Sequence, residues 1–452
     1  MNARYMFPAM FALTSVLFSS LACGHASLQG FDVSPSGSGN AVFLTTGSQA
    51  SRPVGAGATW SVSVDQGLLR SQPATVVLNF PDRASATLSK MRAQLREPGG
   101  FLWTGRGDGC TAVFNGWSIG FRGVISCLNA NYGVDPTSSG ALQLTRYDAV
   151  PGAKDVAWEV PPASSPTASP SGGQSAAPLT QTDTAIDILV LYTEAVRYHF
   201  DPGGGNTNTT AFMRQCVDVT QAAMDASTTP GQPTIAQVNF LAAKKVSRNE
   251  NGDDFTADLD WLRTQPEPIN LRNFWAADVV VYVTEDSGNT YGQSNQPKAN
   301  VPYAPGPDFA PYAFSVVMRT HAINDDSGVA IPQPYVFMHE FAHTLGADHD
   351  YGNAVNPSNP VQAWSFGHWA HNNADGGGNR TIMSYYTSTC APSPPSCPRI
   401  LNYSNAQVTV GWFHTGIADQ QENARTINDY GVPYAGQYRT SLGRIFYDGF
   451  EP

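Results

Sequence analysis

Charge is scarce in this chain: only 13% of its 452 residues are Asp, Glu, Lys or Arg. Basic residues are the scarcer kind, 25 Lys and Arg against 36 Asp and Glu, which leaves a formal charge of −11. Nucleic acids and anionic membrane surfaces both reward a basic face, so neither is expected as a partner. Almost all of the acidic excess follows Asp187. Long apolar runs are also missing outside the first residues, and no later segment is long enough to cross a bilayer. What the chain has instead is Gly (42 residues) and Pro (33). Such a composition suits a loop-rich exported protein better than a helical cytosolic one.

The opening "MNARYMFPAMFALTSVLFSSLACGHAS" has one early arginine, an apolar run over residues 7–21 and small residues ending at Ala26. This is the pattern of a signal peptide, residues 1–26, and implies a secreted product. Cys23 after Ser20-Leu21-Ala22 only loosely resembles a lipoprotein box, so lipid anchoring there is the lesser alternative. Of the six cysteines, five then remain in an oxidising compartment. Close spacing pairs Cys110 with Cys127 and Cys390 with Cys397. Cys216 shares a helical face with Phe212, Val219 and Ala223 and reads as a buried core thiol.

Residues 159–184, "EVPPASSPTASPSGGQSAAPLTQTDT", hold almost no large apolar side chain and are expected to be an exposed, cleavable linker. Before it, residues 27–158 carry short β-branched or aromatic segments ("TWSVSV", "ATVVLNF", "ALQLTRY") between turn residues, so a β-rich domain is expected. Arg106-Gly107-Asp108 in it is read as a glycine-rich turn. After it, residues 185–436 alternate: "AIDILVLYT" and "AADVVVYVTE" as strands buried on both faces, "NTTAFMRQCVDVTQAAMDAST" and "DDFTADLDWLRTQ" as helices, with "TIAQVNFLAAKKV" and "YAFSVVMRT" as further strands. That order predicts an α/β domain, helices on a twisted and mostly parallel sheet. Residues 437–452 form an aromatic and acidic tail.

The densest chemistry lies in "VFMHEFAHTLGADHDYG", residues 336–352, which holds three of the nine histidines. His339 and His343 are four apart and project from one face of a helix, where two imidazoles can share a zinc ion. Glu340 sits beside the first and can take a proton from a water on that ion without being a ligand. A straight helix would carry His349 to the wrong side. Gly346, three residues after His343 and three before His349, can take the left-handed conformation that turns the chain back. Two helical histidines, a base, a hinge and a returning third histidine describe an open three-histidine Zn2+ site.

At these residues the chain resembles the metzincin zinc metallopeptidases, whose extended motif "HEFAHTLGADHD" matches, with Asp350 similar to the reprolysin, or adamalysin, branch. "NRTIMSYY" resembles that family's Met-turn, which implies a packing floor under the zinc at Met383. "YSNAQVTVGWFHTGIADQQENARTIND" is similar to the closing segment of bacterial reprolysin-like peptidases. Tyr385 departs from the reprolysin pattern and resembles the astacin and serralysin tyrosine, an extra zinc ligand or oxyanion stabiliser. The resemblance implies a metzincin-type catalytic domain and a zinc endopeptidase acting on protein or peptide substrates, with "YAFSVVMRT" as the substrate-binding sheet edge. It also implies a zymogen whose own N-terminal domain is the inhibitor, blocking zinc through a residue such as Asp108, or Cys110 if it stays unpaired with Cys127; an ordinary accessory β domain is the alternative.

Two rival readings accompany it, a surface-binding or adhesive protein with an inactive or structural zinc site, and a zinc hydrolase of non-peptide substrates. A structural site needs no base and closes with a fourth ligand, so Glu340 weighs against the first. His368 and His371 are expected in a polar loop packed with Trp364 and Trp369. Asp253-Asp254 and Asp325-Asp326 could attract Ca2+ but lack the spacing of a calcium loop, so solvated turns are expected. Nothing in the sequence specifies an oligomer.

Overall fold

The computed structural model describes residues 58–96, 99–147 apart from 119, 129 and 138, then 185–250, 255–285, 290–298, 307–319, 333–371, 378–385, 390, 397–436 and 438, with short strands at 43–45 and 154–158. The expected signal peptide, the linker at 159–184 and the acidic pairs Asp253-Asp254 and Asp325-Asp326 lie outside the described residues. So does the C-terminal tail except Tyr438, which is buried with its ring centroid 5.4 Å from that of Phe309. The described residues fall in one compact unit, Asn40–Pro452.

The β-rich expectation for the first part becomes a nine-stranded, wholly antiparallel sheet. Its strands are β1 (Phe43–Thr45), β2 (Thr59–Val64), β3 (Thr75–Leu78), β4 (Ala86–Arg96), β5 (Gly100–Gly107), β6 (Cys110–Trp117), β7 (Gly120–Cys127), β8 (Ala130–Pro136) and β9 (Leu142–Tyr147), with a one-turn helix α1 (Gln66–Arg70) after β2. Their order in the sheet is β1-β2-β9-β8-β7-β6-β5-β4-β3. From β3 to β9 consecutive strands are neighbours, and β2 pairs with β9. Between β5 and β6 the two-residue turn is Asp108-Gly109, with φ of 49° and 72°, because a type I′ hairpin needs positive φ at both positions. The Arg-Gly-Asp tripeptide is thus part of that hairpin, and Asp108 accepts from the Thr87 amide at 2.7 Å. Directly across β6 and β7, Cys110 is disulfide-bonded to Cys127.

The second sheet has the order β10-β14-β15-β13-β11-β12. It comprises β10 (Lys154–Trp158), β11 (Ala185–Tyr192), β12 (Gln237–Lys245), β13 (Val279–Thr284), β14 (Thr290–Asn295) and β15 (Phe314–Met318). The four strands β12, β11, β13 and β15 run parallel, and β14 runs against them. In β13, "VVVYVT", every residue is buried, as expected for a strand covered on both faces. Residues 154–158, expected in the N-terminal β-rich domain, instead pair in parallel with β14 and join this second sheet. "YAFSVVMRT" is not a sheet edge: its strand β15 is interior, and β14 stands between it and β10.

The helices are α2 (Glu194–Phe200), α3 (Thr207–Ala226), α4 (Phe255–Thr264), α5 (Pro266–Trp275) and α6 (Gln333–Thr344). Thr193 caps α2, its hydroxyl accepting from the Val196 amide at 3.2 Å. Helix α3 is capped by Asp201, whose carboxylate accepts from the amides of Asn208 and Thr209. Cys216 lies buried on α3, as read from its neighbours. Among the described residues, no helix is long and apolar enough to cross a membrane.

Candidate active site

Helix α6 is buried on every side that is described, from Tyr335 through Thr344, which explains why "YVFMHEFAHTL" is apolar between its functional residues. It ends where the sequence places the hinge. Gly346 has φ of +89°, its amide bonds the His343 carbonyl at 3.0 Å, and the Ala347 amide bonds the Ala342 carbonyl at 3.1 Å. Those two bonds define a Schellman cap, and they send the chain back across the helix face. The next residues form a short strand, β16 (Asp348–Asp350), parallel to β17 (Phe366–Gly367), and it delivers His349.

The three predicted histidines meet. Nε2 of His339 lies 3.0 Å from Nε2 of His349, and Nε2 of His343 lies 3.2 and 3.1 Å from those two. His339 donates Nδ1–H to the Ile382 carbonyl at 2.9 Å, and His343 donates Nδ1–H to the Ala347 carbonyl at 2.8 Å. With Nδ1 protonated, Nε2 of His339 and Nε2 of His343 each present a lone pair toward the cluster. Lone pairs converging in a buried space repel unless a cation sits between them, so the donor set fits a soft-to-borderline divalent ion such as zinc. Burial holds the His339 and His349 imidazoles well below their usual pKa, helped by the neighbouring histidines, and brings His343 to about 4. All three are therefore neutral, in ligand form, at neutral pH. Among the described residues this is the one group of three or more His, Cys, Asp or Glu close enough to share an ion.

Glu340 is fully buried and faces β14. Ser294 Oγ lies 2.8 Å from Glu340 Oε2 and 2.7 Å from the Glu340 backbone oxygen. Gly292 supplies the room, since a Cβ there would stand 2.4 Å from Glu340 Cγ. Neither residue was singled out from the sequence. The available signal was a Gly and a Ser two apart in one strand, hence on one face, a pattern that marks close approach by another element.

The remaining predicted residues surround the histidines. The Tyr385 ring centroid is 4.4 Å from that of His349 and 6.0 Å from that of His339. Met383 is fully buried next to Ile382, whose carbonyl orients His339. Asp350 accepts from the Tyr385 amide at 3.0 Å and from Asn353 Nδ2 at 2.8 Å, so it ties the third-histidine strand to the Met383–Tyr385 segment. Sequence reasoning also passed over Asp348, which accepts from the His349 amide at 2.8 Å and pairs with buried Lys298 at 3.2 Å.

Other candidates lie elsewhere. His368 stacks 5.4 Å from the Phe413 ring and meets Gln421, and His371 meets the Cys390 carbonyl. Cys390 and Cys397 form the expected disulfide. Cys110 and Asp108, named as blocking residues, are held in the disulfide and the β5–β6 hairpin.

Residues 182–404 match the family model described as Reprolysin_5, Metallo-peptidase family M12. No curated protein sequence matches the chain. Among solved structures it is similar to one titled "Structure of a chaperone-substrate complex", at 13% identity and a TM-score of 0.39, covering 70% of this chain and 40% of that one. It is also similar to metalloproteinase-II from Bacteroides fragilis, at 14% identity and a TM-score of 0.35, covering 63% of this chain and 85% of that one.

Proposed function

Residues 182–404 make this chain a reprolysin-like member of metallo-peptidase family M12, and from that premise we propose that it is an exported zinc endopeptidase made as a zymogen. The observation that carries the reading is the convergence of three Nε2 atoms within 3.2 Å of one another, with the Nδ1 atoms of His339 and His343 tied to backbone carbonyls. Zinc held by His339, His343 and His349 supplies Lewis acidity toward a water and the scissile carbonyl. Glu340 accepts the proton of the attacking water and returns it to the leaving amine. Ser294 and the close-packed Gly292 hold that carboxylate in place. Tyr385, beside His349, offers its hydroxyl to the oxyanion that forms on the substrate. Met383 packs as the floor of the site, Gly346 is the hinge, and Asp350 fastens the returning strand.

The substrate enters as an extended peptide along β14, the strand that carries Gly292 and Ser294. Zymogen inhibition is supported by β10, which already pairs with β14 and so takes the backbone hydrogen bonds that a substrate strand would use. The block comes from backbone pairing at the edge strand and needs neither Cys110 nor Asp108.

Two substitutions test the packing around the site. Gly292→Ala places a methyl group against Glu340 and is expected to lower kcat about 10²-fold, the scale set by displacing a reacting group by about 1 Å; zinc content stays unchanged. Asp350→Ala removes the tie to Tyr385 and Asn353 and is expected to weaken zinc binding about 10–100-fold, read by competition with a chromophoric chelator. The activity itself is tested by cutting the chain on both sides of β10, within residues 148–153 and 159–184, removing β10, incubating the remainder with unfolded casein and sequencing the products by mass spectrometry. New internal termini that vanish with 1,10-phenanthroline are expected; an unchanged casein map would refute the reading.

A further inference from the structure

We propose that the nine-stranded sheet is a permanent non-covalent subunit of the enzyme, staying bound to the catalytic portion after the chain between them is cut. This goes beyond the peptidase reading, and its test reads association and not cleavage.

The starting point is α3. Fifteen of its twenty residues are buried, too many for a helix covered on one face. One face lies on the second sheet, where Gln221 bonds the Val238 amide and the Ala236 carbonyl of the β12 region. The other is covered by the nine-stranded sheet: Leu102, Val113 and Val124 share one buried apolar cluster with Phe212, Met213 and Val217. Without that sheet the catalytic portion would expose an apolar helix face.

Charge completes the joint. Arg96 makes two bonds, of 2.6 and 2.5 Å, to the carboxylate of Asp218, which also accepts from Asn115 at 2.5 Å. The Asp218 side chain is only 8% exposed, so its partners are supplied from the other sheet because water does not reach it. Arg92 binds Asp225 at 2.9 and 3.1 Å, and Arg106 donates to the Ala226 and Thr409 carbonyls, both at 2.8 Å. A buried carboxylate stripped of such partners is strongly unfavourable.

The joint also reaches the active-site helix. Asn131 of β8 receives a bond from Tyr335 of α6 at 3.3 Å and donates to the Arg399 carbonyl at 3.0 Å. Ser126 of β7 accepts from the Leu401 amide at 3.0 Å. Two residues on, the Tyr403 hydroxyl bonds the Met338 carbonyl of α6 at 2.9 Å. The sheet is therefore tied to α6 directly through Tyr335 and, by way of residues 399–403, through Tyr403. An apolar centre flanked by bidentate ion pairs, one of which, Arg96–Asp218, is largely buried, is the make-up of a lasting interface. On this inference the piece that vacates the cleft is β10 alone.

The test uses the full chain with two inserted sites for a sequence-specific protease, one within residues 148–153 and one within 159–184, so that β10 is cut free of both parts. After digestion, gel filtration at micromolar and nanomolar concentration should show the sheet fragment and the catalytic fragment co-eluting at both. The Arg92→Ala, Arg96→Ala double variant should raise their dissociation constant about 10²-fold or more, the cost of truncating buried charge pairs. Separate elution of the wild-type fragments, folded or aggregated, would overturn the proposal. A double variant that dissociates no more readily than wild type would overturn the assignment of this face as the joint.

Discussion

Glu340→Gln is expected to cut the rate of casein cleavage by about 10²–10⁴-fold, the contribution of a positioned general base, while zinc stays bound. Glutamine keeps the size of the side chain and an oxygen for the Ser294 hydroxyl, which lies 2.8 Å from the native carboxylate. What it loses is the ability to accept a proton. Steady-state cleavage measured beside the zinc content of the same sample separates the two effects. Unchanged cleavage would remove Glu340 from the chemistry, and simultaneous loss of zinc would make it a structural residue of the site.

The second large effect belongs to the ligands. His343→Ala should abolish both stoichiometric zinc and measurable cleavage, because two remaining imidazoles offer an incomplete donor set. It also removes the side chain that bonds the Ala347 carbonyl at 2.8 Å, loosening the turn that brings back His349. In wild type, zinc at a thousandfold excess over its dissociation constant should add about 4 kcal/mol of stability. The variant's melting temperature should not respond to zinc at all. A zinc-dependent shift of wild-type size in the variant would place the metal elsewhere.

Much of this site was legible in "HEFAHTLGADHD", because each residue there answers a local geometric need. The four-residue spacing of His339 and His343 follows from helical periodicity, and Gly346 answers the need for a left-handed residue, found at φ +89°. The parallel strands were legible for a similar reason: a run such as "VVVYVT" is tolerable only when both faces are covered. Strand neighbours were harder. Nothing local in "YAFSVVMRT" says that β14 lies outside it, because strand order is decided by long-range pairing. The same holds for residues 154–158, which precede the linker yet pair with the second sheet. Asp218 was equally silent, since its partners Arg96 and Asn115 are over a hundred residues away. Gly292 and Ser294 had a local signal, but it acquires meaning only once α6 is known to pack on that strand.

The most direct test is to strip the cut chain of metal, add zinc stepwise and follow casein cleavage. The expected result is no cleavage in the metal-free protein and a linear rise that stops at one zinc per chain. Cleavage without metal, or a fully zinc-loaded chain that still leaves casein intact after β10 has been removed, would contradict a zinc peptidase built on His339, His343, His349 and Glu340.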